Sequence, residues 1–199
     1  MTKDRSLRAP MRGPVSPAID QMLQEGVAFH QRGQLSEAKA RYESILKQRP
    51  DHFDALHLLG VIAWQTKDFP KAEQLIGKAI NINPDNAAAH SNLGNVLHGL
   101  MRLDEALGSY DRAITLNPLH VEAYNNRGIV LKDLKRLNEA LASYDRAIEL
   151  RPNYPEARAN RDAALELFAA FAGSGFFPRV RVFPGRRRSR IFRRCCGAD

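Results

Sequence analysis

An all-α solenoid of stacked helix–turn–helix units is the fold class this sequence predicts, and three ladders of residues predict it. Gly26, Gly60, Gly94 and Gly128 recur every 34 residues. Ala38, Ala72, Ala106 and Ala140 keep the same step, as do Pro50, Pro84, Pro118 and Pro152. Three series in one register mark an internal repeat, and a period in this range is the signature of quasi-one-dimensional stacking. The units fall at 19–52, 53–86, 87–120 and 121–154.

Within each unit a first helix is expected, for example over Phe53 to Thr66, followed by a short polar turn such as Lys67-Asp68 or Met101-Arg102. The second helix carries apolar residues at three- and four-residue steps, as in Ala106, Leu107, Tyr110, Ala113 and Ile114. Ser36, Asp104 and Asn138 share one equivalent position and suit an N-cap. Pro70 takes that position in the second unit and suits a first helical turn. The recurrent proline should end the second helix, because it pushes the residue before it out of α geometry. A glycine inside a helix costs about 0.5–1 kcal/mol relative to alanine, so a ladder of them points to close helix contact. The recurrent alanine is expected to face that glycine from the second helix. Tyr42, Ile76, Tyr110 and Tyr144 should fill the wider gap beside it.

Glycine at the eighth position of each unit, alanine at the twentieth, an aromatic or aliphatic residue at the twenty-fourth and proline at the thirty-second resemble the tetratricopeptide-repeat (TPR) family. Ala79, Ala113 and Ala147 meet the family's alanine at the twenty-seventh position, where Ile45 departs. Leu59 and Leu93 meet its leucine at the seventh, where Glu25 and Arg127 depart. The resemblance covers about 19–154 and implies a right-handed superhelix of four repeats. A capping helix over 155–168 would complete a TPR domain at 19–168. There Asp162 stands in the glycine position, and Glu156, Arg158, Arg161 and Glu166 supply a polar face.

The resemblance further implies that the first helices line a concave groove, with positions 2, 5, 6, 9, 12 and 13 of each unit pointing into it. The sixth position holds Gln24, Leu58, Asn92 and Asn126, then Asn160 in the cap. The twelfth holds His30, Trp64, His98 and Lys132. His57, Val61, Ser91, Asn95, Asn125 and Ile129 complete the candidates. A side-chain amide carries both donor and acceptor, so a row of them can hold the backbone of an extended peptide without reading its side chains. Asn92, Asn126 and Asn160 resemble the asparagine ladder of O-GlcNAc-transferase repeats. The plainer reading is that they are solvated groove residues. Trp64, the sole tryptophan, is either a binding anchor or a packing residue against the next unit. The carboxylate clamp of chaperone-binding TPRs is not expected. Asn95 and Asn126 match two of its positions, but Ser91, Glu156 and Asn160 stand where it needs cations.

The net charge of +8 is concentrated at the ends of the sequence. Residues 1–18 carry Lys3, Arg5, Arg8 and Arg12 against Asp4, and read as a flexible basic leader. Residues 169–199 carry eight arginines against Asp199, leaving the intervening part at −2. Nucleic-acid binding therefore does not follow from overall charge. Two readings of the 169–199 tail stand. One is an arginine-rich arm over 179–194 for nucleic acid or an anionic membrane, interleaved with Phe176, Phe177, Phe183 and Phe192. The other is a disordered extension, arising for instance from a shifted reading frame, which the abrupt change of composition favours. Cys195 and Cys196 are adjacent, a strained geometry for a disulfide, and read as reduced thiols.

No catalytic motif with its required context is present, and no metal or cofactor is expected. His30, His52, His57, His90, His98 and His120 do not share a ligand spacing on one helix face. No run is long and apolar enough to span a bilayer, and the N-terminus lacks a secretory h-region, so a cytoplasmic location is expected. The expected function is a monomeric, non-enzymatic adaptor that binds a peptide or partner protein in the concave groove. The alternative is the TPR portion of an O-GlcNAc-transferase-like glycosyltransferase whose catalytic part has been lost.

Overall fold

The computed structural model describes residues 17–173, with side chains over 17–170. The expectations for the leader before Pro17 and for residues 174–199 lie outside the described residues. Among the described residues the chain forms nine α-helices: α1 Pro17–Gln31, α2 Leu35–Gln48, α3 Phe53–Gln65, α4 Phe69–Ile82, α5 Ala87–Gly99, α6 Leu103–Leu116, α7 Val121–Asp133, α8 Leu137–Leu150 and α9 Pro155–Gly173. Each odd-numbered helix packs on the even one that follows. It also touches the next odd one, α3 on α5, α5 on α7 and α7 on α9. This is the stacked solenoid the repeat predicts.

The turn inside each unit reverses the chain through one left-handed residue: Gly33 (φ 74°), Lys67 (φ 62°), Met101 (φ 60°) and Lys135 (φ 60°). In the second unit Lys67 N–H donates to the Trp64 carbonyl and Asp68 N–H to the Ala63 carbonyl, the paired bonds of a Schellman C-cap. The residues before the recurrent prolines behave as expected. Arg49, Asn83, Asn117 and Arg151 take φ between −134° and −139° and ψ between 87° and 93°, outside the helical region.

Three local expectations are corrected. Ser36, Asp104 and Asn138 are not N-caps, because the second helices start earlier and place them at the second helical residue. The capping positions are Gln34, Asp68, Arg102 and Arg136. Only Asp68 caps with its side chain, accepting from Lys71 N–H at 3.3 Å. Arg102 and Arg136 instead form two-pronged pairs with Glu105 and Glu139 in the first turn. Second, α1 begins at Pro17 and α9 runs on to Gly173, so the boundaries at 18/19 and 168/169 fall inside helices. Third, the glycines face the bulky residues of the second helix rather than its alanines. A Cβ on Gly26, Gly94 or Gly128 would come 2.5, 2.7 or 2.5 Å from the ring of Tyr42, Tyr110 or Tyr144, and one on Gly60 would come 2.6 Å from Ile76. The recurrent alanines lie fully buried beside this contact.

The two departures from the leucine position are each paired. Glu25 meets Arg41 at 2.9 Å, and Arg127 reaches Asp111 at 2.6 Å and Ser143 at 2.7 Å. On α9, Ala157 and Ala164 are buried against the fourth unit while Asp162 is exposed, as suits the end of a stack.

Glycine-to-alanine substitutions should therefore take opposite signs in this one fold. Gly128→Ala forces a methyl into the Tyr144 ring and should cost about 1–3 kcal/mol. Gly108→Ala, on an exposed helix surface with nothing within 4 Å, should gain about 0.5–1 kcal/mol. Urea unfolding followed by circular dichroism measures both.

Candidate functional site

The first helices α3, α5, α7 and α9 bring polar side chains of successive units into contact, and their hydrogen bonds run in one direction. Asn160 Nδ2 donates to Asn125 Oδ1 at 3.0 Å, and Asn125 Nδ2 to Asn126 Oδ1 at 3.0 Å. Asn126 Nδ2 donates to Asn95 Oδ1 at 2.9 Å, and Asn95 Nδ2 to Asn92 Oδ1 at a long 3.5 Å. Asn92 Nδ2 then lies 2.8 Å from His57 Nε2. That order assigns Nε2 as acceptor, so the ring is neutral and carries its proton on Nδ1. Tyr110 Oη adds a bond to Asn95 Oδ1 at 2.7 Å. The expected row of Asn92, Asn126 and Asn160 is thus one half of a relay; Asn95 and Asn125 supply the other half. Asn125 is buried, and the other amides are half-buried. A chain of this kind is stable because each buried polar group finds a partner. Each amide has two N–H donors, so the half-buried Asn92, Asn95, Asn126 and Asn160 each keep one N–H that the relay does not use.

Beside the relay lies a pocket of about 300 Å³ lined by Trp64, Phe69, Asn95, His98, Gly99, Tyr110, Asn126 and Ile129. Five of these were expected in the groove from spacing. Gly99, at the thirteenth position, also falls in the groove by spacing but was not singled out; Phe69 and Tyr110 were not expected there. The signal for Gly99 was available: it breaks the series Gln31, Gln65 and Asp133 at the thirteenth position. Its missing side chain is what admits the Phe69 ring, which a Cβ there would meet at 2.6 Å. Trp64 is 37% exposed on the rim of this pocket.

The remaining candidates are dispersed. His30 Nε2 lies 2.9 Å from Gln65 Oε1, and His98 Nε2 lies 2.8 Å from Asp133 Oδ2. Gln24 is exposed, and Lys132 is half-buried without an ion pair among the described residues. Among the described residues no group of His, Cys, Asp or Glu is placed to hold a metal, and no helix is long and apolar enough to cross a membrane.

Family comparison matches the tetratricopeptide repeat over residues 29–96, 87–119 and 121–154. The chain belongs to the tetratricopeptide-repeat family, and its repeats make it a helical scaffold of the protein-interaction class. Its fold is similar to that of PilF from Pseudomonas aeruginosa (TM-score 0.71, 25% identity, over 78% of this chain and 71% of that one). It is also similar to MamA from Desulfovibrio magneticus (TM-score 0.62, 22% identity, over 67% and 76%). The first TPR domain of Spaghetti (RPAP3), solved with the HSP90 peptide SRMEEVD, overlays with TM-score 0.56 at 25% identity, over 57% of this chain and 90% of that one. A curated relative, the uncharacterized protein ycf37 of Pyropia yezoensis, is 37% identical over 65 residues. That match takes in 33% of this chain and about a third (36%) of the relative's length.

Two measurements probe the relay. Tyr110→Phe removes a bond to Asn95 and should cost about 1 kcal/mol. Tyr144→Phe removes a buried hydroxyl that has no partner among the described residues, and should be neutral or stabilising; urea unfolding compares the two. The second concerns His57, whose pKa burial holds below the ordinary 6.5, with Asp54 opposing. The unfolded chain therefore takes the proton first on acidification. Stability from this group is complete above about pH 6.5 and declines as pH falls from there toward the lowered native value. His57→Gln should flatten that acid-side slope in unfolding titrations.

Proposed function

We propose that the chain is an adaptor that holds an extended polypeptide along its concave groove. The observation that carries this reading is the adjacency of the aromatic pocket and the amide relay. An apolar pocket beside a row of spare N–H donors fits one anchoring side chain together with several main-chain carbonyls. The Spaghetti repeat, solved with a bound peptide, supports a peptide-holding role for a stack of this fold. Its ligand SRMEEVD is acidic, and the groove here offers a different polarity. Among its candidate positions only Lys132 is a fixed cation, while Asp54, Glu122 and Glu156 share the first-helix stripe by helical spacing.

The test is affinity capture with the full chain, followed by titration of the retrieved partner against Trp64→Ala and Asn92→Ala/Asn126→Ala variants. Loss of an aromatic hot spot should weaken binding by about 2 kcal/mol or more, roughly thirtyfold. The amide pair should weaken it by a smaller factor. Unchanged affinity in both variants would remove the groove from consideration. The peptide SRMEEVD should not bind.

A further inference from the structure

The groove stripe carries six acids, Asp20, Asp54, Glu122, Asp133, Glu156 and Glu166, against the single cation Lys132. One is neutralised locally, Glu122 by Arg151 at 2.8 Å, and Asp133 Oδ2 lies 2.8 Å from His98 Nε2. Asp20, Asp54, Glu156 and Glu166 have no ion-pair partner among the described residues. A negative groove beside an aromatic pocket of about 300 Å³ calls for a segment that is positively charged and carries aromatic side chains. Residues 174–199 of this chain have that composition: eight arginines, one aspartate, and Phe176, Phe177, Phe183 and Phe192.

We infer that the chain's own residues 174–199 dock in its concave groove, with a phenylalanine in the pocket lined by Trp64 and Ile129 and arginines against the unpaired acids. The inference rests on the groove being the binding face, as proposed above. The connection is short enough. The pocket residues Trp64, His98 and Gly99 lie in the last turns of α3 and α5. The constant repeat runs α9 in the same direction, toward that end of the groove. From α9 to α5 is two stacking steps of roughly 10 Å each. Phe183 lies ten residues beyond Gly173, and ten extended residues reach about 35 Å. Tethering raises the effective concentration of such a segment to the millimolar range, so even a weak docked state is well populated, and an outside partner must displace it.

Trp64 is the only tryptophan and sits in the pocket, so it reports occupancy directly in the full-length chain. The expected result is a red shift of Trp64 emission and a loss of its protection from acrylamide when Phe176, Phe177, Phe183 and Phe192 are all changed to serine. These positions lie outside the described residues, and circular dichroism of the variant checks that the helical stack is kept. The same loss is expected for the intact chain in about 1 M salt, where the screening length is ~3 Å, and for Asp54→Asn/Glu156→Gln. A synthetic peptide of residues 174–199 added to the four-serine variant should restore the protection. Identical Trp64 emission and quenching in the intact chain and the four-serine variant would overturn the inference. Protection that disappears on dilution would also overturn it, since the occupant would then be the segment of a second copy. Should the peptide protect the four-serine variant while the intact chain is unprotected, docking within the chain fails and the groove reading stands. Should the peptide fail as well, both fail.

Discussion

Each unit depends on one contact: the ring or branched chain at 42, 76, 110 and 144 occupies the space that a Cβ on the facing glycine would fill. Three of these four side chains are tyrosines, all of them fully or almost fully buried. The contact sets how closely the two helices of a unit approach, and the buried alanines beside it leave no room to rotate away. With the pair fixed, the next unit must add by the same displacement. The displacement is visible in the side chains. His30 meets Gln65, His57 meets Asn92, His98 meets Asp133 and Asn125 meets Asn160, each pair separated by 35 residues. One position more than the repeat length is the imprint of a constant offset between first helices. The groove is therefore a consequence of the glycine contact four levels down, and not an independent design.

On that regular frame the groove changes character along its length. In the second unit the sixth and ninth positions are Leu58 and Val61; in the third they are Asn92 and Asn95, and in the fourth Asn126 and Ile129. The ninth position decides how the buried tyrosine below it is treated. Asn95 accepts from Tyr110, whereas Val27 and Ile129 stand at the equivalent place above Tyr42 and Tyr144, whose hydroxyls have no partner among the described residues. Burial raises the pKa of all three phenols, to about 12 at Tyr42. The repeat thus tolerates two unsatisfied hydroxyls for the sake of a ring of the right width, and the third is used to anchor the relay. Because the relay's bonds all point one way and end on a neutral imidazole, its polarity is fixed at one end only, by His57.

The architecture was legible because it is periodic: glycine, alanine and proline at one step give the units, and the prolines give the ends of the second helices. What was not legible depends on relations between units. Ser36, Asp104 and Asn138 look like caps, but each turn pivots on a left-handed residue three positions before them and the cap falls two positions before them. The second helix therefore starts before them. Lysine and methionine in that left-handed site hide it, since only Gly33 advertises it. Asn95 and Asn125 were placed in the groove individually, but spacing along one helix cannot show that they bridge the sixth-position row. The pocket floor was missed for the same reason. Phe69 comes from a second helix, and its access depends on the absence of a side chain at Gly99.

Charge follows a similar logic of position over total. The arginines of the helical stack are largely committed to carboxylates of their own or neighbouring helices: Arg41 to Glu25, Arg102 to Glu73 and Glu105, Arg112 to Asp85, Arg127 to Asp111, Arg136 to Glu139. Exposed pairs of this kind add little stability. Their larger effect is on the field, because each one cancels a cation and an anion locally. Most of the groove acids are left out of this cancellation, so a stack of nearly neutral charge presents a negative inner face. Under the proposed groove reading, a chain with a net charge of +8 would select for basic partners, the opposite of what its overall charge implies. On the same proposal, the field that attracts such a partner would also attract the arginines of residues 174–199, and a basic ligand of the groove would compete first with the chain itself.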